Sequence, residues 1–344
     1  MNRLPRLSNY SHTPPHSQRG VALISMLLVF ALVVILVSGA VARTGYDIRK
    51  TSYHLMNSQA HQYALGGEAL ARQILHQDWV TNQELSQGDS QHDRWFQDAQ
   101  FEPDNGQMRI RIRDLESRFN LNNLVSSSGE TDAAQVQQFQ RLLNQLSLPA
   151  NRANAVLDWL DRDTQPRSAN SEDVYFQSLE NDYRSADAPM SDASELYALN
   201  AFQRKELAAI LPEVIALPEA TSINPNTASE AVLSSLHPQL NAAQVIQARE
   251  KLPHGFVSNQ AFMAHAVTAG LDLSQVRIDV HSQYFLVSVA ARYQDHTTYL
   301  QSVLHRDPQT GFIKTVSRNL QRPKDLFVSS QKASSGKNPN NRQL

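Results

Sequence analysis

The chain has no cysteine among its 344 residues, so it forms no disulfide and carries no thiol nucleophile or cysteine-based zinc site. It also lacks a surplus of charge. The 31 basic and 33 acidic residues leave a net charge of -2, without the footprint of a general polyanion binder. Enzyme signatures are missing too: no Gly-x-Ser-x-Gly elbow, no phosphate-cradling glycine loop, no His-Glu-x-x-His zinc helix. The 12 histidines are scattered, and His54 and His61 have no carboxylate partner that spacing alone supplies. What remains is a composition of 41% apolar and 19% charged residues, which suits a folded chain.

The opening 20 residues contain no acidic residue, only Arg3, Arg6 and Arg19, and from Gly20 to Ala42 no charge occurs at all. At about 1.5 Å per residue, those 23 positions span roughly 30 Å or slightly more, enough to cross a bilayer. No second run of this kind follows, so the remainder is expected on one side of a membrane. Two cleavage sites are open. Ala40 and Ala42 suit removal of the apolar run as a secretory leader. The junction Arg19-Gly20-Val21 suits a cut before it, leaving a mature chain that begins with its own apolar helix at Val21. Proline is absent from Val21 to Trp79, which predicts a long helix over 21–79 that spans the membrane over 21–42. Its later part carries Tyr53, Met56, Ala60, Tyr63, Gly67, Leu70 and Ile74 at spacings of three and four, an amphipathic stripe.

Beyond the helix, Met108, Ile110 and Ile112 alternate with Arg109, Arg111 and Arg113, the pattern of a half-exposed strand. Comparable strands return only late, lined by Phe285, Val287, Val289 and Ala291, then over 299–305 and 312–317, with turn-rich connections between them. The stretch between is helical in pattern. An α+β fold is therefore expected: a head over 80–119 and 279–320 with a small antiparallel sheet, interrupted by a mostly helical insert over 120–278. The segment 321–344, rich in Ser, Asn, Lys and Gln, is expected to be a disordered tail.

Arg19-Gly20-Val21-Ala22-Leu23-Ile24, Tyr46-Asp47-Ile48-Arg49-Lys50 and Gln62-Tyr63-Ala64-Leu65-Gly66-Gly67-Glu68-Ala69 together resemble the type II secretion minor pseudopilins. Among these the resemblance is to the K-subunit family, whose large insert is matched by Leu157-Asp158-Trp159-Leu160-Asp161-Arg162-Asp163, Ser194-Glu195-Leu196 and Ile223-Asn224-Pro225-Asn226-Thr227-Ala228. The resemblance implies a pilin-like fold, cutting between Gly20 and Val21 by a prepilin peptidase, methylation of the new amino group, and insertion in the bacterial inner membrane with a periplasmic head. It implies a non-enzymatic place at the pseudopilus tip, with other minor pseudopilins as partners joined through the N-terminal helix and a side of the head. Tyr53, Met56, Tyr63 and Leu70 are the candidate assembly residues on that helix, together with Ser25, which bears on position in the fibre. Where pilins in general carry glutamate at the fifth mature position, this chain has Ser25, as the K subunits lack that glutamate. A carboxylate there can pair with a neighbour's amino terminus inside lipid, where an unpaired charge is expensive. Ser25 offers no such charge.

Two constellations sit in the insert. From Val156 to Glu195 ten acidic and three basic residues leave a local charge of -7. Asp161, Asp163, Gln165 and Glu172 occupy relative positions 1, 3, 5 and 12, oxygen-ligand spacing reminiscent of a calcium loop, although Pro166 replaces the required glycine. Hard oxygen donors without cysteine favour calcium, which the resemblance also implies, with Asp161, Asp163, Glu172 and Asp173 as candidate ligands. The alternative is a solvated acidic loop with Arg162, Arg167 and Arg184. The other constellation, within 223–266, resembles a helix-hairpin-helix, with Thr227 and Glu230 placed for a capping box and Ser258 for a second cap. Its hairpin, His237-Pro238-Gln239-Leu240, has no glycine to approach phosphate and a proline that removes an amide, so nucleic acid is not expected as a partner. A membrane-anchored DNA-binding protein and a hydrolase built on the carboxylates near Asp161 are the rival readings.

Overall fold

The computed structural model describes residues 19–162, 165–167, 184–199, 201–323 and 326. They fall into two units, one ending at Ser58 and one beginning at Gln59. Helix α1 (Arg19–Leu85) contributes to both. In the first unit the side chains from Val21 to Val41 are exposed, as befits an all-round apolar helix. This is the one helix among the described residues long and apolar enough to cross a membrane.

The second unit joins a sheet to a helical insert. The chain forms strands β1 (Ala99–Phe101) and β2 (Gly106–Asp114), then the short β3 (Phe119–Asn120). Helices α2 (Ala133–Gln145), α3 (Arg152–Leu160) and α4 (Arg204–Ile210) follow, then β4 (Val214–Ile215). Helices α5 (Glu230–Leu236), α6 (Ala242–Lys251) and α7 (Asn259–Ala264) precede the long strands β5 (Tyr284–Tyr293), β6 (His296–Arg306) and β7 (Ile313–Asn319). Five strands make one antiparallel sheet in the order β1-β2-β5-β6-β7, while β3 and β4 pair in parallel within the insert. Strands β2 and β5 lie side by side with Asp114 opposite Phe285, so the insert departs and returns at adjacent points of the sheet.

Side-chain caps explain where several insert helices start. Asp132 accepts from Ala134 N (3.1 Å) and Gln135 N (3.2 Å) ahead of α2, and Asn241 from Gln244 N (3.1 Å) ahead of α6. Ser258 accepts from Ala261 N at 3.0 Å, the cap expected of it. The expected capping box at Thr227 does not form. Ser229 caps α5 instead, accepting from Val232 N at 3.2 Å, because Thr227 Oγ1 is turned inward to donate to Asp114 Oδ2 at 2.5 Å. Helix α1 also runs past the expected end at Trp79 to Leu85, since Val80-Thr81-Asn82-Gln83-Glu84-Leu85 contains no helix breaker. It stops where Ser86 takes a positive φ of 53° and Gln87 N returns to Asn82 O at 3.0 Å.

The buried apolar residues gather in two main cores. One lies between α1 and the sheet, around Ala64, Ala71, Leu75, Trp95, Ile110, Val287 and Leu300. The other fills the insert, around Phe119, Phe139, Val156, Ile210, Leu233 and Phe262.

Candidate functional site

Three places carry candidate residues: the apolar half of α1, its seam with the sheet, and the acidic region of the insert. In the first unit Ser25 Oγ donates to Val21 O at 2.9 Å, so the hydroxyl is satisfied by its own helix. Gly20 lies at the start of α1, one residue before the exposed Val21. Tyr53 is also exposed, and Met56 is half-buried.

In the second unit the expected stripe coincides with the buried seam at Ala60 and Gly67. Ala60, Ala64, Gly67, Ala71 and Leu75 are the buried positions, while Tyr63, Leu70 and Ile74 flank them half-buried. Close approach sets this choice. A Cβ on Gly67 would stand 2.7 Å from Val289 Cγ1 and 2.8 Å from Met108 Sδ. Tyr63 is engaged within the unit: its hydroxyl donates to Asp104 O at 2.8 Å and its ring meets Tyr293 edge-on at 5.8 Å. Leu70 packs on the helix–sheet core. These two expected assembly residues therefore serve at least in part the head's own packing. The outward positions on this part of α1 are Gln62, Gly66, Ala69 and Gln73.

One charged residue crosses the seam. Glu68 is buried and accepts from Ser302 Oγ (2.6 Å), Thr315 Oγ1 (3.0 Å), and Arg318 Nε and Nη2 (2.6 and 2.9 Å), with Arg72 also bound. Burial by itself would raise its pKa. The bonds from Arg318, Ser302 and Thr315, with the Arg72 charge, prevail and hold the pKa at about 2.

In the insert, Asp158 and Asp161 are buried at the end of α3. Arg167 reaches both: its backbone N–H donates to Asp158 Oδ2 (3.0 Å), its Nη1 to Asp158 Oδ1 (3.1 Å), and it pairs with Asp161. Trp159 Nε1 donates to Glu195 Oε2 at 2.9 Å beside them. Asp163, Glu172 and Asp173 lie outside the described residues. Oxygen donors in a chain without thiols suit a hard cation in type, and the cation already on Asp158 and Asp161 is the Arg167 guanidinium.

The segment Asn224-Pro225-Asn226-Thr227 turns out to be the joint between insert and sheet. Asn224 Nδ2 donates to Asp89 O (3.1 Å) and Ser282 Oγ (2.9 Å), and Asn226 exchanges hydrogen bonds with the Phe256 backbone at 2.9 and 2.7 Å. Arg249, the buried cation of the helix-hairpin-helix-like part, donates to Pro225 O and Ala228 O at 2.9 and 2.7 Å. It is spent on the joint. Amide side chains that accept and donate at once are what sequence spacing could not assign here.

Two family models, both described as type II secretion system (T2SS), protein K, match, one over residues 117–219 and one over residues 223–282. The type II secretion system protein K of Pseudomonas aeruginosa is 33% identical over 315 residues, 88% of this chain and 93% of that protein. That of Klebsiella pneumoniae is 32% identical over 308 residues, 82% of this chain and 92% of its own. A chain in the crystal structure of the GspK-GspI-GspJ complex from the enterotoxigenic Escherichia coli type 2 secretion system has the same fold, with a TM-score of 0.69 at 22% identity, over 80% of this chain and all of that one.

Proposed function

The chain belongs to the type II secretion system protein K family, and from that premise we propose that it is a non-enzymatic minor pseudopilin at the tip of the pseudopilus. There it starts assembly and limits fibre growth during export across the outer membrane. Before assembly it sits in the inner membrane with its head in the periplasm, after a prepilin peptidase has cut between Gly20 and Val21 and the new amino group has been methylated. Its partners are other minor pseudopilins, in keeping with the three-protein complex that contains the solved structure of like fold.

The observation that carries the tip position is Ser25, whose only polar atom is held by Val21 O within the same helix. A subunit stacked above would need a buried counter-charge for its amino terminus in lipid, and Ser25 has none to give. The size of the insert supports the same reading, since so large a head would obstruct subunits stacked beyond it. Crosslinking and imaging of assembled pseudopili test this. One copy at the fibre end is expected, and copies repeated along the shaft would refute the tip position.

The insert is proposed to hold calcium through Asp161, with Asp163, Glu172 and Asp173 as further ligands. Bound there, the ion would supply positive charge to a region with a local net of -7. Asp158 and Arg167 would hold the Asp161 carboxylate in place beside it. A nucleic-acid role is disfavoured by the use of Arg249 inside the joint.

A further inference from the structure

Carboxylates crowd the place where the C-terminal end of α1 meets the segments that flank the insert. Oxygens of Asp78, Asp89 and Asp93 lie within 4.8 Å of one another. One guanidinium answers two of them: Arg306 Nη1 donates to Asp78 Oδ2 at 3.2 Å and Nη2 to Asp89 Oδ2. The remaining donors are neutral. Asn82 Nδ2 reaches Asp78 Oδ2 (3.3 Å), Ser282 N reaches Asp89 Oδ2 (2.7 Å), and Ser90 N and Trp95 Nε1 reach Asp93 Oδ2 (2.6 and 3.2 Å). Asp89 is fully buried, and its Oδ1 has no hydrogen-bond donor. Three formal negative charges against one positive, with an open buried oxygen, is an arrangement that demands a further neutralising group.

We propose that Asp78 and Asp89 share one proton, with Asp78 as the acid and Asp89 as its acceptor, and that this bond fastens the end of α1 to the sheet in a pH-dependent way. It is independent of the tip reading. The proton stays on an oxygen and no covalent bond changes. Arg306 already stands where a metal ion would bridge Asp78 and Asp89, which favours the proton as the neutraliser. The surroundings act in the same sense. Burial and the Asp89 charge push Asp78 up to about 8, against the pull of Arg306. Facing this pair are Asp93 from the segment after α1, Asp114 from β2, and Glu116 beyond it. Burial raises all three, Asp114 to about 6. His281, raised by its bond to Asp279, faces Asp89 from the insert's return segment. His92, Arg94 and His254 line the groove beside Asp78 and Asp93.

The sign follows from which state holds the proton. Asp78 in the unfolded chain titrates near the ordinary 3.8, whereas in the fold it keeps its proton to about 8. Between those values the folded state binds more protons, so this group's contribution to stability declines as pH rises and levels off above about 8. One proton corresponds to about a tenfold change in the unfolding equilibrium constant per pH unit.

The test uses the full chain in detergent, unfolded by denaturant from about pH 6 to about pH 9, beside Asp78→Asn. The amide of the variant can still donate to Asp89 and does not titrate. The wild-type unfolding constant is expected to rise relative to the variant by up to about tenfold per pH unit, then run parallel to it above about pH 8. Infrared spectra at neutral pH should show a protonated-carboxyl C=O band that loses intensity in the variant. Parallel stability curves throughout, or a band unchanged by Asp78→Asn, would overturn the proposal. Should the variant fail to fold, carboxyl-labelled aspartate in the wild type must show one group titrating near pH 8, and its absence overturns the proposal equally. A wild-type stability at neutral pH that follows magnesium or chelator, in a chain also carrying Asp161→Ala, would place a metal ion where the proton is proposed and refute it.

Discussion

Replacing Glu68 with glutamine should loosen α1 from the sheet, and the structure sets the scale. Holding the carboxyl at about 2 instead of 4.5 corresponds to about 3 kcal/mol of preference for the charged form in the fold. Arg318 is 48% exposed and Arg72 35%, so water screens part of that interaction and about 2 kcal/mol is the better expectation. Glutamine keeps the shape but turns a donor toward one of these guanidinium groups, leaving both without a counter-ion. For a folded unit of this size that loss lowers the melting temperature by roughly 4–8 °C. Thermal melts of the wild type and Glu68→Gln in detergent at neutral pH would measure it. The group's pKa is depressed by folding, so its stabilisation is present above about 4.5 and disappears as pH falls toward about 2. The gap between the two proteins must therefore narrow in acid. A gap below about 1 °C at neutral pH, or one that stays constant into acid, would show that Glu68 does not fasten the seam.

Calcium should raise the melting temperature of the full chain relative to chelator, and Asp161→Ala with Asp163→Ala should erase that difference; a wild type indifferent to calcium removes the ion from the insert. Gly67→Ala should cost about 1–3 kcal/mol, because the added methyl meets Val289 and Met108 at under 3 Å; unchanged denaturant midpoints would contradict so tight a seam. N-terminal sequencing of the mature protein should begin at Val21, whereas a start near Arg43 would support a secretory leader.

Strand β2 was readable because its burial largely alternates, whereas β5 is buried on both faces from Val287 to Ala291. Met108-Arg109-Ile110-Arg111-Ile112 shows its two faces directly in the chain. Strand β1, only Ala99–Phe101 and mostly exposed, has no such alternation and comes into being by pairing with β2. The helix stripe was legible in part, for Ala60 and Gly67 are in the buried seam. A helix that packs closely on a sheet is centred on small residues, so Ala64 and Ala71 lie deeper than Tyr63 and Leu70. Thr227 and Glu230 had the spacing of a capping box, and Thr227 was drawn instead to Asp114, 113 positions earlier in the chain. The group of Asp78, Asp89 and Asp93 around Arg306 was illegible for the same cause, since its cation arrives from the far end of β6.

The insert's two ends meet at paired residues, Asp114 and Phe285, 171 positions apart. In topological terms β2 and β5 are a hairpin whose turn is an entire domain. Closing that loop from an unstructured chain would cost roughly 4–5 kcal/mol in entropy before any strand contact formed. A folded insert removes most of that cost, because its joint already holds the two exits together through Thr227, Asp114 and Ser282. Folding of the insert would therefore favour the sheet's register. Long-range strand pairing becomes, in effect, a local event.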